Sequence, residues 1–124
     1  MFEVEYYYKE NGSCPATEYL DSIPRGQGRD IKKSIEMLEE YGLVIIGTNR
    51  LKPIETGKKR KSEKGQSYDL YELIGGRHRI AVYHDKSMEK FMLLNGFFKD
   101  QRKCPQGTQY AFDLRKEYLE RKLK

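Results

Sequence analysis

Residues 68–103 read YDLYELIGGRHRIAVYHDKSMEKFMLLNGFFKDQRK, and this stretch decides the fold. Three short apolar-rich runs, Tyr68 to Ile74, His78 to Tyr83 and Lys90 to Asn95, are separated by Gly75-Gly76 and by His84-Asp85-Lys86-Ser87. Runs of this length between turn-forming residues predict strands, and short connections between them predict an antiparallel meander. In the first run Leu70, Glu72 and Ile74 point one way and Asp69, Tyr71 and Leu73 the other. That mixed pattern predicts a central strand covered on both faces. A polar, basic exit follows, Lys99-Asp100-Gln101-Arg102-Lys103.

Upstream, Phe2, Val4, Tyr6 and Tyr8 alternate with Glu3, Glu5, Tyr7 and Lys9, the period of a half-buried strand with its even-numbered positions toward the core. Pro15 suits a first helical turn, and Ala16, Tyr19, Leu20 and Ile23 recur at helical spacing until Pro24. Ile31, Ile35, Leu38 and Tyr41 mark one face of a second helix, ended by Gly42. Leu43 to Ile46 fits a strand or packed coil equally well. Residues 47–67 form the one candidate long loop. Downstream, Thr108 is a plausible N-cap for a C-terminal helix with Ala111, Leu114 and Tyr118 on one stripe. The sum is an α+β fold in one domain spanning 1–124: two N-terminal helices packed on an antiparallel, mostly meander sheet, with a C-terminal helix.

The composition bounds the function. Charged residues make up 35% of the 124 residues, yet the apolar ones cluster with clear periods, and ten tyrosines with five phenylalanines supply buried area. The mean hydropathy of -0.88 therefore reflects a charged surface rather than disorder. The net charge is +5. Residues 50–64 alone hold Arg50, Lys52, Lys58, Lys59, Arg60, Lys61 and Lys64 against Glu55 and Glu63, an excess of the same size, which points to a polyanionic partner or a solvated loop. Cys14 and Cys104 are two isolated thiols, the N-terminus lacks a secretory pattern, and no apolar run approaches membrane-spanning length. The expectation is a cytoplasmic protein with no membrane partner.

No metal-ligand spacing, phosphate loop, dinucleotide fingerprint or serine elbow occurs, so the expected site uses neither metal nor cofactor. What remains is a basic constellation. Cleaving RNA without a metal needs a group to take the 2′-hydroxyl proton, cations for the phosphate and a donor for the leaving 5′-oxygen. Arg77, His78 and Arg79 start one strand, and Lys99, Arg102 and Lys103 follow the end of the next, so an antiparallel meander brings them to one edge. Each has an ordinary alternative: Arg77 as a turn residue, His78 as a polar strand end, Arg79 as a structural cation, Lys99 as a solvated cap.

The run Gly96-Phe97-Phe98-Lys99-Asp100-Gln101-Arg102-Lys103-Cys104-Pro105 resembles the "GFxKKxxKxP" signature of the HigB-like, phage Gp49-like branch of the RelE toxin superfamily. Leu70-Tyr71-Glu72-Leu73 looks like its "LYEL(R)" strand, Arg79-Ile80 with Tyr83 its "RIxxY" strand, and Pro15-Ala16 to Leu20 its first helix. The resemblance implies the toxin of a type II toxin–antitoxin pair, an endoribonuclease acting on mRNA at the ribosome and neutralised by a helix-turn-helix antitoxin. It implies Lys99, Arg79 and Lys103 at the cleavage surface. With them we group Arg77 and His78 as catalytic candidates, and Lys52, Lys58, Lys59, Arg60, Lys61 and Arg102 as contacts to RNA or the ribosome. Two positions depart from the pattern: Ile74 stands where the family has arginine after "YEL", and Asp100 replaces the second lysine of "KK". A module of this fold that binds RNA, the ribosome or an antitoxin without cleaving is the alternative expectation.

Overall fold

A computed structural model describes residues 1–54, 69–100 and 105–123. Their elements follow in order: β1 (Glu3–Tyr6), α1 (Pro15–Ser22), α2 (Arg29–Tyr41), a 3-10 turn (Gly42–Ile45), β2 (Leu51–Pro53), β3 (Leu70–Gly75), β4 (His78–Asp85), β5 (Lys90–Phe98) and α3 (Pro105–Lys122). The five strands form one sheet in the order β1-β5-β4-β3-β2. β3 to β5 are the expected antiparallel meander, and β2, which lies in the stretch read as a loop, extends it by pairing antiparallel with β3. β1 departs from it, because it joins β5 in parallel at the far edge, with Val4 opposite Phe91, and the sheet is mixed. After β1 the chain crosses the sheet through α1 and α2 before it returns as β2 at the opposite edge, so its first strand must meet β5 from outside the meander. An ion pair between Lys90 Nζ and Glu5 Oε2, 2.7 Å apart, clamps that junction.

Helices cover both faces. On one, Ala16 of α1 and Ile31, Ile35 and Leu38 of α2 meet Tyr71, Leu73, Ile80, Val82, Phe91 and Leu93. On the other, Ala111, Leu114 and Tyr118 of α3 meet Leu70, Ala81, Tyr83, Met92 and Leu94. A strand sandwiched in this way buries alternate residues on opposite sides, which explains β3. It also corrects the reading of β1. Val4 packs toward α1 and α2 as expected, but Tyr7 is buried against α3 while Phe2, Tyr6 and Tyr8 stay largely exposed. Val4 of β1 thus packs against one core and Tyr7, just past the strand, against the other, while the remaining even-numbered positions do not all face the core.

Two glycines set how closely α1 and α2 lie. A Cβ on Gly75 would stand 2.2 Å from the Ile31 backbone nitrogen, and one on Gly96 would stand 2.2 Å from the Tyr19 ring. Such approaches leave no room for any side chain. Leu43 to Ile45 falls in the 3-10 turn rather than a strand. The C-terminal helix begins at Pro105, so Thr108 lies inside its first turn and does not cap it. Pro is pre-organised for a first helical position, which explains the earlier start.

At the β4–β5 turn the 1% exposed Asp85 fastens α3. Its Oδ2 accepts from the Tyr118 hydroxyl and from Lys122 Nζ at 2.7 Å, and its Oδ1 accepts from Ser87 Oγ at 2.7 Å and Met88 N at 3.2 Å. Burial alone would raise this carboxyl's pKa, but those donors outweigh it and hold it far below the usual carboxylate range.

Candidate functional site

Four charged side chains gather at the opposite end of the meander. Lys52 on β2 lies directly opposite Glu72 on β3, and Arg79 on β4 lies opposite Ile74 on β3 and Phe97 on β5. Lys99 follows β5, with its backbone N–H donating to the Arg77 carbonyl at 2.7 Å. Glu72 alternates with Leu70, and Arg79 with Ala81 and Tyr83, so both side chains belong to the α3 face. Residues directly opposite on neighbouring strands share a face, which adds Lys52.

One atom is common to all of them. Glu72 Oε1 lies 3.2 Å from Lys52 Nζ, 3.6 Å from Arg79 Nε and 3.9 Å from Lys99 Nζ. The Glu72 side chain is 6% exposed, Arg79 12%, Lys99 20% and Lys52 48%, so a buried carboxylate sits beneath cations that reach progressively into solvent. Neither Glu72 Oε1 nor Arg79 Nε closes a hydrogen bond, so the four groups are held by charge. Arg79 is planted on the turn instead, where its Nη1 donates to the Gly76 carbonyl at 2.8 Å and the His78 carbonyl at 3.1 Å. The Lys99 pKa is pushed below the ordinary lysine value. Burial is the main cause; Glu72 opposes the shift, and the Lys52 and Arg79 cations add to it. Three cations over one carboxylate attract a polyanion, and a lysine that holds its proton less tightly is suited to proton transfer.

The sheet therefore brings together Lys52, Arg79 and Lys99. Arg77 is exposed on the adjoining turn, where its carbonyl fixes Lys99. His78 faces the other side. Its Nδ1 lies 2.6 Å from the Tyr19 hydroxyl, and its ring packs edge-on against Tyr19 and Phe98. Lys58, Lys59, Arg60, Lys61, Arg102 and Lys103 lie outside the described residues. Sequence reasoning did not single out Glu72. The available signal was a carboxylate within the apolar strand Leu70-Tyr71-Glu72-Leu73-Ile74, where a charge persists only if it is paired. A shallow groove of about 430 Å³ along α3, lined by Phe112, Arg115, Lys116 and Leu119 among others, includes none of the four residues.

This architecture is RelE-like in fold. The chain superposes on a chain from the crystal structure of the archaeal RelE–RelB complex of Pyrococcus horikoshii OT3 with a TM-score of 0.55. The match covers 81% of this chain and 97% of that one, at 14% sequence identity. No protein-family model and no curated protein matches the sequence. Among the described residues no helix is long and apolar enough to cross a membrane.

Proposed function

We propose that this chain is the toxin of a type II toxin–antitoxin pair of the HigB-like, Gp49-like kind: a metal-independent endoribonuclease that cleaves mRNA on the ribosome in the cytoplasm and so halts translation. The observation that carries this reading is the convergence of Lys52, Arg79 and Lys99 on one face of a RelE-like sheet. In the reaction the 2′-hydroxyl gives its proton to water as its oxygen attacks phosphorus, the P–O5′ bond breaks, and the products are a 2′,3′-cyclic phosphate and a 5′-hydroxyl. Lys99 and Arg79 neutralise the charge that builds on the non-bridging oxygens, and Lys99 supplies the proton taken up by the departing 5′-oxygen. Lys52 holds the neighbouring backbone, and Arg77 and Lys103 extend the field. Lys58, Lys59, Arg60, Lys61 and Arg102 dock on ribosomal RNA. A helix-turn-helix antitoxin neutralises the chain by occupying its basic surface, in keeping with the RelE–RelB pairing in the archaeal complex.

Expression of the chain alone is expected to arrest growth, with mRNA cut in a translating extract containing EDTA. The double variant R79A/K99A is expected to relieve both effects. Toxicity unchanged in that variant would overturn the site assignment. A second reading is favoured by Ile74, which pairs across the sheet with Arg79 where the resembling family carries arginine. On that reading the chain grips RNA, the ribosome or its antitoxin without cutting. Intact mRNA together with tight ribosome binding would select it.

A further inference from the structure

We propose that Glu72 is the positioning residue of this site: its buried carboxylate draws Lys52, Arg79 and Lys99 from three parts of the sheet onto one oxygen and so assembles the receptor for a phosphodiester. The inference rests on the RNA-cleaving reading for its substrate, but its physical content is independent of that reading.

The geometry carries it. Three cations share Glu72 Oε1 at 3.2, 3.6 and 3.9 Å, and that oxygen closes no hydrogen bond. A carboxylate whose task was to anchor a strand would be saturated with donors, as Asp85 is at the other end of β4 and β5. Here the contacts are loose, and a second anion can compete for the same ammonium groups. The charge count agrees. Among the described residues the four groups that meet at Glu72 carry two net positive charges, become singly positive over a phosphodiester, and become neutral when the phosphorane bears two negative charges. Glu72 therefore matches the site to the transition state better than to the substrate, which is the condition for raising kcat. Without it, three adjacent cations would repel one another, and Lys99, partly desolvated and flanked by Lys52 and Arg79, would give up its proton at lower pH.

The test compares wild type with E72Q, an isosteric change that removes the charge. With 13C-labelled lysine, the Lys99 side-chain resonance, assigned by its absence in K99R, is expected to titrate at lower pH in E72Q. Cleavage of an mRNA in a translating extract is expected to lose roughly ten- to a hundredfold in kcat near pH 8, with a smaller change in KM and the alkaline limb of the profile moved to lower pH. If E72Q fails to fold, E72Q/K52Q restores the net charge, and its Lys99 is expected to titrate near wild type. A Lys99 midpoint that does not move in E72Q, or one that is not restored in the double variant, overturns the proposal. A midpoint that moves in a protein that cleaves no RNA supports the role of Glu72 and instead overturns the cleavage reading.

Discussion

Replacing Asp85 with asparagine tests what fastens α3 to the sheet. The carboxylate is 1% exposed and meets four donors, two per oxygen. An asparagine that keeps its oxygen toward Ser87 and Met88 turns an amide N–H2 toward Tyr118 and Lys122. The tyrosine hydroxyl can rotate and accept, but the ammonium has only donors. The lost ammonium contact is worth about 1.5–3 kcal/mol when fully buried, and less here because Lys122 is 31% exposed. Exchanging a charged for a neutral partner at Tyr118 costs about 1 kcal/mol more. The total is about 2–3 kcal/mol, equivalent to a fall of about 8–12 °C in Tm for a chain of this size. The pH dependence has a definite sign. Because the folded carboxyl titrates far below its unfolded value near 3.9, its contribution is complete above about pH 5 and declines as pH falls through the folded value. Urea unfolding followed by circular dichroism should show the full gap between wild type and D85N at pH 7 and a narrower one at pH 2. A gap below about 1 kcal/mol at pH 7, or one equal at both pH values, would refute the argument.

Substituting His78 should separate a structural histidine from a catalytic one: H78A is expected to lose about 1 kcal/mol of stability, and Y19F should cost nothing further in that background, because Tyr19 is its partner. Cleavage in a translating extract should survive in H78A and vanish in K99A; the reverse order would return His78 to the reaction. K52A should weaken binding of single-stranded RNA and reduce the slope of log Kd against log salt by about 0.7, as expected for one lost phosphate contact, which fluorescence anisotropy across a salt series would measure.

The meander was legible because glycine pairs and polar turns bracket its runs, and because Leu70 and Tyr71 are apolar neighbours that only a two-sided strand can bury. The parallel seat of β1 was not legible. Alternation in Phe2 to Tyr8 encodes two faces but says nothing about which edge accepts the strand or in which direction. Helix ends were read to within a few residues, with the α3 start shifted to Pro105. At the site, antiparallel pairing was enough to bring Arg79 toward Lys99, since the start of one strand of a hairpin lies beside the end of the other. Lys52 was read as part of a basic loop, and its place beside Glu72 depends on the β2–β3 register, which brings together residues twenty positions apart. Glu72 was passed over because its strand was read for packing, and the three cations that meet it come from separate parts of the chain.

The two ends of β4 show how the same ingredients serve different ends. Asp85 and Glu72 are both buried carboxylates paired with lysine, Asp85 with Lys122 of α3 and Glu72 with Lys52 and Lys99 at the sheet. Asp85 has both oxygens filled by hydrogen bonds, so an external anion gains nothing by displacing it. Glu72 meets its cations without closing a bond on Oε1, so the arrangement can be reorganised around a ligand. Arg79 and Asp85 stand six residues apart on one strand, about 20 Å at about 3.3 Å per residue, more than twice the Debye length of about 8 Å at physiological salt. The clamp and the receptor should therefore act independently. D85N/K99A is expected to lose stability equal to the sum of the single variants within about 0.5 kcal/mol, and D85N is expected to bind RNA with wild-type salt dependence at temperatures where it is folded. A coupling above about 1 kcal/mol, measured by urea unfolding of the four proteins in the cycle, would mean that the α3 clamp and the cation cluster form one cooperative network.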